Sequence, residues 1–362
     1  MLLQGIFSAI TTPFYPDGRL YLKKLEHNVD RYSRTPVSGM VVLGSTGETV
    51  MLSEDEQRQV LKLTSEVAAD DKVLVAGVGQ ESAVQTLVMA EFAAQQGFDV
   101  ALVRTPSYYR PQMKLKPEAI LAHYRFVADR SPLPVMLYSV PPFTAYDLPV
   151  EAVAALAEHP NIIGIKESSG DVKKIAAIRE ATQHIKRAVR VTEIFSAVTG
   201  RMLQGTAANV AQLGGVVSAT ALAETASASS SATATAPPAT KPKFKIRSKE
   251  AGFQIAAGAA QLLLPSLDAG ASAAVLAFAA CAPTACYEVY TAWKENDQLL
   301  ATEKQQRIAA VAKRVAAELG VPGVKFACDL NGYYGGPARL PLLPLTGDEK
   351  TEIQRLMTDL RN

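Results

Sequence analysis

Eight short runs rich in Val, Ile and Leu alternate with longer stretches of helical periodicity, and this alternation constrains the chain more than any other feature. The runs are 6–12, 39–43, 73–78, 99–104, 134–138, 162–166, 253–257 and 272–278. Runs without polar alternation are strands buried on both faces, and strands joined by helices run parallel. Eight such units predict a closed (β/α)8 TIM barrel. The stretch 53–68 opens Ser53-Glu54-Asp55-Glu56, a capping box with acids on the first helical turn. Beyond the eighth run, helical patterns at about 283–295, 297–319 and 347–361 predict a C-terminal helical appendage. The expected division is therefore a barrel over 1–280 and C-terminal helices over 281–362.

One stretch, about 188–250, breaks the rhythm before strand seven. Within it, 219–240 is almost entirely Ala, Ser and Thr with Pro237 and Pro238, a low-complexity composition with little to bury that reads as a flexible linker. In the following KPKFKIRSK, the cations Lys241, Lys243, Lys245, Arg247 and Lys249 alternate with other residues. A solvated edge strand explains that pattern better than an anion-binding strip. A competing strand seven lies at 189–196, but 253–257 is preferred because strand eight and the last helices then follow at ordinary loop lengths. An insertion that follows a helix and precedes a strand should emerge opposite the catalytic face of a barrel.

Composition excludes several function classes. The 362 residues carry 37 basic and 35 acidic side chains, so nothing global attracts nucleic acid or an anionic membrane. The apolar stretch 255–283 is interrupted by Pro265, Asp268 and Gly270, which argues against a membrane span. Cys281, Cys286 and Cys328 form no CxxC pair and point to a reducing, cytoplasmic compartment. His27, His123, His159 and His184 show neither HxH nor HExxH spacing, so neither a metal site nor a Ser/His/Asp triad is expected.

Chemistry in a barrel sits where the strand C-termini meet loops. Directly after strand two comes Gly44-Ser45-Thr46-Gly47-Glu48, a turn whose exposed amides and hydroxyls suit a small carboxylate. Alternation turns Met136 and Tyr138 into the barrel at strand five. At strand six it turns Ile162, Gly164 and Lys166 inward and Ile163 and Ile165 toward the helices, with Gly164 leaving space beneath the amine. An inward lysine is desolvated, which favours the neutral amine able to attack a ketone. Tyr138 and Lys166 lie one β/α unit apart, so they should stand on adjacent strands roughly 5 Å from each other.

GSTGE, TPSYYRP, YSVPPFT and GIKESSGD, in that order, resemble the dihydrodipicolinate synthase/N-acetylneuraminate lyase family of class I aldolases over 5–187 and 251–345. Within the family, YSVPPFTAYDLP, HPNIIGIKESSGD, GVPGVK and GYYGGPARLPL look most like 4-hydroxy-2-oxoglutarate aldolase. The resemblance implies an imine between Lys166 and pyruvate, with Tyr138 as general acid/base and Ser45 relaying protons. It places the pyruvate carboxylate at Ser45, Thr46 and Gly47, and implies no metal or cofactor. It also implies a homo-oligomer, usually a tetramer, in which Tyr108 crosses a dimer interface. Phe143 stands where dihydrodipicolinate synthases carry an arginine for the second substrate's carboxylate. For a distal carboxylate the aldolase resemblance implies Ser168 and Ser45, and Arg104 is added by its place at the end of strand four. The expected reaction is cleavage of 4-hydroxy-2-oxoglutarate, or a related 4-hydroxy-2-oxo acid, to pyruvate and an aldehyde. The alternative is 4-hydroxy-tetrahydrodipicolinate (dihydrodipicolinate) synthase, which condenses pyruvate with aspartate semialdehyde. A third reading is a non-catalytic keto-acid-binding scaffold with the insertion as its partner-binding arm.

Overall fold

The structure is a computed structural model that describes residues 1–203 and 245–360. Ten strands occur among these residues: β1 (Gly5–Ala9), β2 (Gly39–Val42), β3 (Val73–Gly77), β4 (Val100–Arg104), β5 (Val135–Ser139), β6 (Ile162–Glu167), β7 (Arg187–Thr192), β8 (Ile246–Ala251), β9 (Gln254–Ala257) and β10 (Ala273–Leu276). Eight of them close into a parallel barrel in the order β1-β2-β3-β4-β5-β6-β9-β10. These are the eight expected runs, and β9 takes the place of strand seven. Phe7, Val41, Val75, Leu102, Met136 and Val275 fill the barrel interior. Ile6, Met40, Leu74, Val103, Leu137 and Leu276 face the helices. Ser53 and Glu56 form the expected capping box on the helix Glu54–Val67.

Strand six departs from simple alternation. Val135 pairs with Ile162 but Met136 pairs with Gly164, so Ile163 is an extra residue in the ladder. Ile162 therefore joins Ile165 on the helix side, and Ile163 turns into the barrel, the reverse of the expectation for both. Alternation resumes after the bulge and leaves Lys166 inward as expected. Gly164 also differs from its expected role. A Cβ there would meet the Gln254 carbonyl oxygen at 2.2 Å, so the glycine admits the β9 backbone rather than opening space under the amine.

The segment expected as a competing strand seven is a strand, but it lies outside the barrel, where β7 pairs antiparallel with β8. Ala188 and Arg190 are exposed and alternate with the buried Val189 and Val191, a one-sided pattern that a strand buried on both faces does not show. The hairpin covers the N-terminal end of the barrel, as expected for the insertion. Val189 and Val191 pack on Leu2. Arg187 donates to the Ile162 and His159 carbonyls at 2.7 and 2.9 Å. Beyond the turn, Gly200 N–H donates to Asp99 at 3.1 Å and Arg201 reaches the Gly97 carbonyl at 3.3 Å. Ile246, Arg247 and Ser248 form the exposed edge expected of the cationic strip. Lys241, Lys243 and the linker 219–240 lie outside the described residues.

The C-terminal helices begin with Pro283–Lys294 and Gln298–Ala312. The pattern expected to run to 319 changes at Lys313–Glu318 into a π-helical turn, and a further helix, Gly320–Leu330, follows that the sequence pattern did not reveal. The helix opens with Gly320 and Pro322, residue types that end helices elsewhere, but proline is tolerated in a first helical turn. The last helix is Gly347–Leu356. Among the described residues no helix is long and apolar enough to cross a membrane.

Candidate active site

Three strand ends converge at the C-terminal mouth of the barrel. Leu43, after β2, holds a left-handed φ of +59°, and the next residues fold into a single tight turn, Ser45–Gly47, closed by Glu48 at φ +56°. That turn carries the Ser45 hydroxyl to 3.3 Å from the Tyr138 phenol oxygen. Tyr138 of β5 and Lys166 of β6 are register partners, and the lysine Nζ lies 4.2 Å from the tyrosine ring centroid.

Lys166 stands apart from the other buried lysines. Lys174 is paired with Asp147 and Glu167, Lys325 with Glu48, and Lys72 donates to the Thr35 and Val37 carbonyls. Among the described residues no carboxylate pairs with Lys166, whose side chain lines a cavity of about 280 Å³. Ser45, Thr46, Ser168 and Phe278 line the same cavity, and Ala316, Ala317 and Gly320 of the C-terminal helices roof it. The Ser168 hydroxyl is buried without a hydrogen-bond partner among the described residues. It sits where a Cβ on Gly258 would come within 2.0 Å, which accounts for glycine there. An adjoining cavity of about 540 Å³ shares Ser45, Tyr138 and Phe143 and extends to Arg104 and Glu81.

Other expected residues stand differently. Gly47 donates its N–H to Gly44 at 3.0 Å and accepts from Thr12 at 2.7 Å, so it closes the turn. Phe143 is 71% exposed, on the rim. Arg104 lines the adjoining cavity, with its Nη1 bound to Glu81 at 2.8 Å and its Nε without a hydrogen-bond partner among the described residues. Tyr108 is 76% exposed, its ring edge-on to Tyr109 at 5.1 Å, and is not brought to Tyr138 of its own chain.

Several residues around the site were not singled out from the sequence. Glu81, just before the helix Ala83–Gln95, is one. Burial opposes its charge, but the Tyr108 and Ser107 amides and Arg104 outweigh that and hold its carboxyl down at about 2. Nearby, burial pushes His123 down to about 4. Glu48, at the end of the GSTGE turn, accepts from the Arg339 N–H at 2.8 Å and pairs with Lys325 at 2.5 Å. Pairs of this kind join segments far apart in the chain, so no local motif announces them.

A cavity-facing amine without a carboxylate partner among the described residues, set beside a phenol at the strand ends of a closed barrel, supplies the groups that imine-forming, class I aldolase chemistry needs. The model of the dihydrodipicolinate synthetase family matches residues 2–236 and 239–360, and the chain belongs to that family. It is an enzyme of the carbon–carbon lyase kind that works through a lysine Schiff base. The 4-hydroxy-tetrahydrodipicolinate synthase of Methanothrix thermoacetophila is 28% identical over 359 residues, 99% of this chain and 97% of its own length. The synthase of the same name from Xanthomonas campestris is 41% identical over 178 residues, 49% of this chain and 58% of its own. Among solved structures, the chloride-inhibited dihydrodipicolinate synthase of Acinetobacter baumannii in complex with pyruvate superposes with a TM-score of 0.75 at 25% identity, covering 99% of each chain.

Proposed function

We propose that Lys166 forms an imine with the ketone of a pyruvate unit and that the enzyme makes or breaks the carbon–carbon bond beside it. The observation that carries this reading is the buried Lys166 amine, paired with no carboxylate among the described residues and 4.2 Å from the Tyr138 ring. The amine adds to the ketone carbon and water leaves. The protonated imine then accepts the electron pair of the breaking bond as an enamine. Tyr138 takes the proton of the hydroxyl that becomes the aldehyde, and Ser45, at 3.3 Å, passes it on. The enamine is protonated at carbon and hydrolysis releases pyruvate; condensation is the reverse sequence. The pyruvate carboxylate is assigned to the Ser45 and Thr46 amides, which open a turn and have no partner within it.

For the second carbonyl compound, the curated relatives favour condensation with aspartate semialdehyde, since the relative matching 97% of its own length is a 4-hydroxy-tetrahydrodipicolinate synthase. A second reading, cleavage of 4-hydroxy-2-oxoglutarate, is favoured by Phe143, which offers no donor to a second carboxylate. With Arg104 held by Glu81, the unpartnered hydroxyl of Ser168 is the donor we assign to that group. We assign the enzyme to the cytoplasm, as a homo-oligomer in which the exposed Tyr108 completes the relay of a neighbouring copy.

Borohydride with pyruvate should fix a reduced pyruvyl group on Lys166, and Lys166→Ala should abolish both labelling and turnover. Labelling at another lysine refutes the assignment. Comparing condensation of aspartate semialdehyde with pyruvate release from 4-hydroxy-2-oxoglutarate separates the two readings, because the faster reaction identifies the partner.

A further inference from the structure

The loop that carries Tyr108 is held by one side chain. Glu81 accepts the N–H of Ser107 at 2.8 Å, the N–H of Tyr108 at 2.9 Å and the Ser107 hydroxyl at 3.0 Å. The same carboxylate binds Arg104 Nη1 at 2.8 Å. All four donors come from the end of β4 and the turn that follows, so a single carboxylate gathers the exit of that strand. Charge-assisted hydrogen bonds of this kind are stronger than neutral ones. Two consecutive amides directed at one carboxylate fix the backbone on both sides of the Tyr108 nitrogen.

The base of this clamp is itself held. Ser82 caps the helix Ala83–Gln95, so Glu81 stands one residue before the cap. Gly79, two residues earlier, lies so close to β4 that a Cβ would come within 2.5 Å of the Arg104 nitrogen. The Tyr108 ring, by contrast, makes one aromatic contact among the described residues, with Tyr109, and is largely exposed. The direction in which its side chain leaves the main chain is therefore set by the backbone at Ser107 and Tyr108, and through that backbone by Glu81.

We propose that Glu81 is a positioning residue for the reaction: it aims Tyr108 toward the neighbouring copy and fixes Arg104 at the cavity wall. The proposal rests on the reading that Tyr108 completes a neighbour's relay. Glu81 touches no reacting atom in this scheme, so it should act on turnover through Tyr108 and leave the imine step alone.

The test compares Glu81→Ala, Glu81→Gln, Tyr108→Phe and the Glu81→Ala/Tyr108→Phe double variant as full-length assembled enzyme. Glu81→Ala should lower kcat about tenfold or more, a part of the roughly hundredfold or greater contribution of a positioned acid/base group. KM for pyruvate and borohydride trapping at Lys166 should change by less than about twofold, since a change confined to kcat marks a later step. Glu81→Gln, which keeps an acceptor oxygen in the same place, should recover part of the loss, and it carries the comparison if the alanine variant does not assemble. The double variant should be no slower than Tyr108→Phe, because two residues acting through one group are not additive. Losses that multiply in the double variant, or weakened trapping in either Glu81 variant, would overturn the proposal. A Glu81→Ala enzyme as fast as the parent while Tyr108→Phe is slow would overturn it and leave the relay standing. Full turnover in Tyr108→Phe would remove the relay and the Glu81 role with it.

Discussion

Replacing Lys325 by methionine should damage the enzyme from behind its active site. Lys325 and Glu48 are each only 1% exposed and lie 2.5 Å apart, the lysine also donating to the Pro337 carbonyl at 2.7 Å. Removing one member of a buried pair leaves a charge without its partner, at a cost of roughly 3–5 kcal/mol. With an unfolding entropy of about 2.1 cal/mol/K per residue over 362 residues, that corresponds to a Tm lowered by about 4–7 °C. Because Glu48 closes the turn that presents Ser45 and Thr46, kcat should fall together with stability. Neutralising the partner as well, in Glu48→Gln/Lys325→Met, should restore most of the stability, since no buried charge is then left without its partner. Thermal and urea unfolding of the two single variants and the double variant measure this directly. A Lys325→Met enzyme that loses less than about 1 kcal/mol, or a double variant as unstable as the summed singles, would refute the pairing argument.

Tyr138→Phe should still trap pyruvate on Lys166 but lose about a hundredfold or more in turnover; near-parent turnover in that variant would count against Tyr138 as the acid/base. His123 has a folded pKa of about 4, below its ordinary 6.5. The unfolded chain then binds the proton first, so the parent should lose stability as pH falls from 6.5 toward 4, and His123→Leu should flatten that slope; identical slopes would refute it. Phe143→Arg should raise the efficiency of condensation with aspartate semialdehyde relative to the parent, whereas a further decrease would show that the rim does not receive the second carboxylate. Deleting 219–240 should leave KM for pyruvate within about twofold, and a large rise in a folded deletion would place part of the insertion at the catalytic mouth.

The barrel was legible because its strands are buried on both faces and read as unbroken apolar runs. Lys166 and Tyr138 were legible for a related reason: strand alternation and one β/α step place two side chains side by side without any tertiary information. The bulge at Ile163 was not, since an extra residue in a ladder leaves no mark in an apolar run and simply reverses the faces of Ile162 and Ile163. The role of Gly164 was misjudged because its neighbour, the Gln254 backbone, arrives from beyond the insertion. Glu48 and Glu81 were passed over for the same kind of reason, since Lys325 and the Tyr108 turn become their partners only once the chain has folded. The helix Gly320–Leu330 was hidden by residues that end helices in most settings but here open one.

The β7–β8 hairpin has a consequence for how this barrel can be extended. Thr192 and Ile246 are register partners, so the chain leaves the hairpin and re-enters it at the same place. β6 and β9 meanwhile pair directly, with Gly164 opposite Gln254, as if nothing stood between them in sequence. The two hairpin strands thus act as a docking port on the underside of the barrel, through which a passenger sequence can be spliced without spreading the staves. A reporter domain fused there would ride on a working catalyst.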